Sequence, residues 1–167
     1  LGKASGFRTV NVVRRREQVA ELTALGADRV LVESDGPIAE QVRAAVGGDG
    51  VRFALDPVGG ATGAEVVKAL AAGGRAVLYG LLSGEPVSVD PRFLITGSKR
   101  VEGFWLADWM RSLPLVRKVK LVRAIRRLIR SGVLATAVGE SFPLARVADA
   151  VRAAAAPGRG GKVLLRG

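Results

Sequence analysis

Apolar positions fall into short β-branched runs and longer stretches of helical spacing, and the two kinds alternate along the chain. "FRTVNVV" (7–13) is the first run. From Glu17 to Leu25 the pattern changes. Val19, Leu22 and Leu25 stand three residues apart, and Gly26 stops what reads as a helix. "DRVLVE" (28–33) is a second strand, and "PIAEQVRAAVG" a helix with Pro37 near its first turn and Gly47 at its end. "VRFALDPVGG" (51–60) is a third strand closing in a glycine turn. "GAEVVKALAAGG" is a helix closed by Gly73 and Gly74, and "RAVLYG" (75–80) a fourth strand. Pro86 and Pro91 mark a longer connection. "RVEGFWL" (100–106) is a further strand, a basic helix runs from about Pro114 to Ser131, "ARVADAVRAAA" is a last helix and "GKVLLRG" a last strand.

Strands alternating with short helices make βαβ units. The predicted fold class is therefore α/β, a Rossmann-like doubly wound parallel sheet. No repeat and no low-complexity linker interrupts residues 1–167, so one domain is expected. A doubly wound nucleotide fold opens with strand, glycine loop and helix. Here "LGKASG" reads as the tail of a helix, and no G-x-G-x-x-G occurs. The expectation is the C-terminal part of an NADP-binding Rossmann domain, its first strand and glycine loop lying before residue 1. In the strand order 3-2-1-4-5-6 that strand is central. Strand 7–13 should then either pair directly with 51–56, or the chain should fold poorly alone.

Composition narrows the chemistry. Apolar residues make up 49% of the 167 residues, enough to build a core rather than a disordered chain. No apolar run approaches the ~20 residues that span a bilayer, and no signal peptide is evident. A cytoplasmic location with no membrane partner is expected. Cys and His are both absent. That excludes disulfides, a zinc site of the usual Cys/His kind and any triad needing an imidazole base. Chemistry falls to a bound cofactor, Tyr79, a carboxylate, Lys, Ser or Thr, or residues supplied elsewhere. The net charge of +11 favours an anionic partner. The cations are scattered over several elements and no nucleic-acid motif occurs, which argues against nucleic acid.

The first apolar run ends in Arg14, Arg15 and Arg16, with no acid until Glu17. In a dinucleotide fold this strand ends beside the adenosine ribose. An acid there selects NAD, whereas arginine accommodates the 2′-phosphate of NADP. Guanidinium forks match phosphate oxygens two at a time. The competing reading, a solvated charge run at a helix start, is the weaker one, because cations there oppose the helix dipole.

"GFRTVNVVRRREQVAELTALGADRVL", "ALDPVGG", "GGRAVLYGLLSG", "EGFWLADW" and "GKVLL" together resemble the cofactor domain of the medium-chain dehydrogenase/reductase superfamily. Within it, "NVVRRR" and "GFWL" followed by Trp109 resemble the zinc-independent 2-enoyl thioester reductases of the mitochondrial fatty-acid-synthesis type. Quinone oxidoreductases are near relatives. The resemblance covers Leu1 to Leu165. It implies NADPH as cofactor, with Arg14, Arg15 and Arg16 on the 2′-phosphate. It places Tyr79, Gly80, Leu81 and Leu82 along the nicotinamide ribose. Phe104, Trp105, Leu106 and Ala107 would bring backbone groups near the nicotinamide amide, and Lys162 would reach the cofactor from the last strand. Packing remains an alternative role for Tyr79, Phe104 and Trp105, and plain surface position for Lys162. Asp56 reads as part of a turn rather than a chemical group. The resemblance implies no catalytic residue within this chain, and a homodimer formed through the strand near 101–106. It implies reduction of the C2=C3 bond of an enoyl thioester on acyl carrier protein or coenzyme A. Quinone reduction, or a non-catalytic nucleotide-binding or oligomerising module, stays open beside it. The basic helix 114–131 offers Arg117, Lys118, Lys120, Arg123, Arg126, Arg127 and Arg130 to an acidic carrier or to coenzyme A, or forms only a solvated face.

Overall fold

The computed structural model describes residues 1–156, 158 and 161–167. The chain divides into two compact units, residues 2–114 and residues 115–167 with Leu1.

The larger unit holds two parallel sheets. In the first, β1 (Val10–Val13) pairs with β2 (Arg29–Val32), in register from Val10 opposite Arg29 to Val13 opposite Val32. Helix α1 (Glu17–Ala24) connects them. The second sheet has the order β3 (Val51–Asp56), β4 (Leu70–Leu78), β5 (Arg100–Gly103). Its connections are α3 (Gly60–Lys68) and a longer segment containing α4 (Pro91–Ile95). Asp90 caps α4, its carboxylate accepting the Arg92 N–H at 2.9 Å.

Helix α2 (Ile38–Val46) links the two sheets. Its buried face, Ile38, Ala39 and Val42, packs with Ala69 against Val10, Val12 and Leu31 on one side and Val51 on the other. A second core, Val67, Leu70 and Ala76, gathers Val51, Ala54, Val89 and Leu94. The alternate residues of β3, Phe53 and Leu55, are exposed. Period-two alternation sends them to the face opposite Ala54. The expected direct pairing of 7–13 with 51–56 does not occur. β1 and β3 lie in separate sheets, and α2 is the element that packs against both.

Several boundaries differ from expectation. The fourth strand begins at Leu70, inside the stretch that reads as the end of a helix. Its first turn of sequence, "LAAGG", has alanine-rich helical character, yet Leu70 pairs with Val51. The strand expected over 100–106 ends at Gly103, and its last expected residue, Leu106, instead begins helix α5 (Leu106–Ser112). Residues 33–35 form a 3-10 turn beyond β2.

The smaller unit contains α6 (Leu115–Arg130), β6 (Val138–Pro143), α7 (Val147–Ala155) and β7 (Lys162–Arg166). β6 and β7 are parallel, α7 packs on both, and Ala150 is its buried residue. β6 has no counterpart in the sequence reading, since "VGESFP" is short and half polar. α6 matches the expected basic helix: it carries seven cations and no acid, and none of its residues is buried. Among the described residues, no helix is long and apolar enough to cross a membrane.

Candidate functional site

Three predicted segments of the larger unit follow the C-terminal ends of parallel strands, where open α/β sheets bind ligands. Arg14 and Arg15 form the bend after β1, and Arg16 is the residue that starts α1. All three are exposed. Among the described residues, Arg14 and Arg15 make no ion pair, while Arg16 pairs with Asp35. The α1 N-terminus is built by the arginine backbone, since the carbonyls of Arg15 and Arg16 accept the N–H groups of Gln18 and Val19 at 3.1 and 3.0 Å. The side chains are thus free of the helix they begin.

The second segment, Tyr79–Leu82, leaves β4 and runs over the turn that follows β3. The Tyr79 N–H donates to the Asp56 carbonyl at 3.0 Å, the Leu82 N–H to Pro57 at 3.0 Å and the Ser83 N–H to Val58 at 2.9 Å. Gly80 allows this closeness: a Cβ there would stand 2.6 Å from the Pro57 carbonyl oxygen. Gly59 is required for its backbone more than for space. Its φ of 72° is one that side chains resist, and a Cβ would meet Leu81 Cδ1 at 2.7 Å.

Asp56 is only 2% exposed. Its carboxylate accepts the N–H of Val58 at 2.7 Å and of Gly59 at 3.2 Å. This supports the turn reading: a buried acceptor holds the first backbone donors before α3.

The third segment, Phe104–Ala107, leaves β5 and enters α5. The Phe104 N–H donates to the Leu78 carbonyl at 2.8 Å, which keeps the segment beside the end of β4. Leu106 and Ala107 are the first residues of α5 rather than free chain. Phe104 and Trp109 pack with ring centroids 5.8 Å apart. Neither Tyr79, 51% exposed, nor Trp105, 69% exposed, lies in the core formed by the described residues. Together with Leu81, Leu82 and Leu106, they present apolar surface beyond two strand ends. Lys162 begins β7 in the smaller unit, exposed, its N–H donating to the Ala137 carbonyl at 2.8 Å.

A shallow hollow of about 180 Å³ lies between the starts of α2 and α3, lined by Glu33, Pro37, Ile38, Thr62 and Glu65. Its two carboxylates make it unsuited to a phosphate. Glu65 serves structure there: its carboxylate binds the Lys68 ammonium at 2.7 Å and accepts the Ala39 N–H at 3.2 Å. The hydrogen bond from Lys68 is the main reason its carboxyl titrates below the ordinary value.

Residues 1–120 match the family model described as zinc-binding dehydrogenase. The chain belongs to that family. Its name does not bring a zinc site with it. The chain has no Cys and no His, and the described residues contain no cluster of acidic groups able to hold a metal ion. The chain is 32% identical over 161 residues to the mitochondrial enoyl-[acyl-carrier-protein] reductase of Rattus norvegicus, covering 94% of this chain and 43% of that protein. It is 31% identical over 169 residues to the human protein of the same name, covering 99% and 45%. It thus spans under half the length of these relatives. Among solved structures, a Bacillus thuringiensis protein assigned as an NADPH:quinone reductase superposes with a TM-score of 0.89 at 28% identity, covering 97% of this chain and 49% of the other. The Etr1p/NADP/crotonyl-CoA complex superposes with a TM-score of 0.72 at 25% identity, covering 85% and 41%. These likenesses agree with an α/β medium-chain dehydrogenase domain of Rossmann type.

Asp35 escaped the sequence reading, which looked for an acid only along the first strand and its helix. The signal was present as "ESD" directly after the second strand. It becomes readable once the two strands are paired in parallel.

Proposed function

We propose that the intact protein is an NADPH-dependent reductase of the C2=C3 double bond of an enoyl thioester, carried on acyl carrier protein or coenzyme A. The observation that carries the cofactor choice is the exposed trio Arg14–Arg16 beyond the end of β1, two of them free of ion pairs among the described residues. These groups fit a phosphate, whose oxygens they can bind in pairs. Bound NADPH supplies the hydride. Arg14 and Arg16 hold the 2′-phosphate and so set which dinucleotide enters. Tyr79–Leu82 and Phe104–Ala107 offer apolar walls and backbone groups to the nicotinamide end, and keep water from it. No residue of this chain is assigned a proton-transfer role. The choice of an enoyl thioester is supported by the named function of the curated relatives.

A second reading, quinone reduction, is favoured by the close superposition on the Bacillus thuringiensis protein. Pairing of two copies along β5 is part of the proposal, because β5 is an edge of its sheet with all four residues exposed.

Titration of the intact protein with NADPH and NADH, followed by tryptophan fluorescence, tests the cofactor. NADPH should bind at least tenfold more tightly, and equal affinities would remove the clamp. Turnover of crotonyl-CoA against a simple quinone under saturating NADPH then separates the two substrate readings.

A further inference from the structure

Parallel pairing carries two loops to one place. β1 and β2 end in register at Val13 and Val32. The three residues after β1 are Arg14, Arg15 and Arg16, and the three after β2 are Glu33, Ser34 and Asp35. The two sets meet, with Nη2 of Arg16 ion-paired to Oδ1 of Asp35.

The position of Asp35 is built into the backbone. Gln41 Nε2 donates to the Val32 carbonyl at 3.0 Å and to the Gly36 carbonyl at 2.8 Å, pinning the turn on both sides. Gly36 has φ 130° and ψ −173°, a conformation almost confined to glycine. A Cβ at Gly36 would meet no atom within 4 Å, so glycine serves the backbone there and not the space. The turn therefore presents Asp35 to the arginine loop by construction.

We propose that Asp35 is a specificity-determining residue, competing with the cofactor's 2′-phosphate for Arg16 and so lowering the preference for NADPH over NADH. The proposal rests on the clamp reading of Arg14–Arg16. One edge of the Arg16 fork is already engaged by a carboxylate, and a phosphate must displace or share it. A fixed negative charge beside a phosphate dianion also repels it. The effect is modest because the side chains are 68% and 39% exposed, and water screens them. A dinucleotide without the 2′-phosphate meets no such conflict. On the same ground Arg14, which has no ion pair among the described residues, carries more of the phosphate affinity than Arg16.

The test is Asp35→Asn in the intact protein, with dissociation constants measured calorimetrically for NADPH, NADH and 2′,5′-ADP. NADPH and 2′,5′-ADP should tighten about three- to fivefold, the upper part of the range expected for an exposed charge contact, while NADH should not tighten. Unchanged or weaker NADPH and 2′,5′-ADP binding overturns the proposal, and so does an equal tightening of NADH. In an Arg16→Ala background the gain should fall below about twofold. A gain retained in full there overturns competition for Arg16. The clamp itself is judged separately, by the loss of 2′,5′-ADP binding in Arg14→Ala/Arg16→Ala. If that loss occurs and Asp35→Asn does nothing, only the role of Asp35 falls.

Discussion

The end of β1 and the ends of β4 and β5 are two opposite solutions to the same position in a parallel sheet. Beyond β1 stand three cations, with a carboxylate from the neighbouring turn and no large apolar residue. Beyond β4 and β5 stand Tyr79, Leu81, Leu82, Phe104, Trp105 and Leu106, with no charge among them. The backbone differs as well. The arginine loop spends the carbonyls of Arg15 and Arg16 on starting α1. The Tyr79–Ser83 segment spends the N–H groups of Tyr79, Leu82 and Ser83 on the turn after β3. The first region is thus suited to selecting by charge, with side chains whose effect depends on salt. The second is suited to positioning, with a loop held rigid by backbone hydrogen bonds and by two glycines that admit close contact. Changes at the first should alter which dinucleotide binds. Changes at the second should alter how well any of them binds.

The largest expected effect lies at the charged end. Replacing Arg14 and Arg16 together by Ala should weaken NADPH binding about a hundredfold, because each hydrogen bond to a charged group contributes on the order of 1.5–3 kcal/mol. NADH affinity should change by less than about twofold. Equal losses for both dinucleotides would mean that the variant has damaged the fold, and the contrast between the two regions would fail.

Gly80→Ala probes the other end. The added Cβ would stand 2.6 Å from the Pro57 carbonyl oxygen and 3.1 Å from the Pro57 Cα, both backbone atoms that cannot swing aside. Overpacking of this kind costs about 1–3 kcal/mol. Urea unfolding should show a loss of that size. NADPH and NADH should weaken by the same factor, since the loop carries no charge to tell them apart. A variant that lost NADPH alone would show that selection is not confined to the arginine loop.

The two regions were also unequally legible in the sequence. Arg14–Arg16 stand out because a cation triplet after an apolar run is local, and it needs only the strand before it to be placed. Their partner Asp35 is nineteen residues away and becomes a neighbour only through the pairing of β1 with β2. At the other end the sequence locates both segments, and only the close of the second differs in form. "GFWLADW" has the aromatic content of a strand, yet Leu106 onward is helical, since Leu, Ala and Met accept a helix once the chain has left the sheet edge. The reverse happened at Leu70–Gly74. Alanine there suggests helix, but the pairing of Leu70 with Val51 and the burial of Leu70 and Ala71 hold it as strand. In both places tertiary contact overrides local preference. The runs Val10–Val13 and Arg29–Val32 were legible because β-branched residues dominate in them and each ends in a buried valine.

The smallest expected effect falls on Arg15, and it sharpens the comparison inside the charged region itself. Arg15 lies between two residues given the clamp role, and a general positive field would make all three equivalent. A built clamp would not. The contribution of Arg15 to the fold is its carbonyl, which accepts the Gln18 N–H at 3.1 Å and which alanine retains. Its side chain is exposed and makes no ion pair among the described residues. Exposed substitutions of this kind usually shift free energy by no more than about 0.5 kcal/mol, which is roughly twofold in affinity. Arg15→Ala should therefore leave NADPH binding within about twofold of the parent, while Arg14→Ala alone costs somewhat more than about tenfold and Arg16→Ala, sharing its fork with Asp35, somewhat less than about tenfold. Dissociation constants for the three single variants at one fixed ionic strength decide it. Three equal losses would turn the clamp into a diffuse patch of charge, and the order Arg14, Arg16, Arg15 would mark two forks aimed at one phosphate.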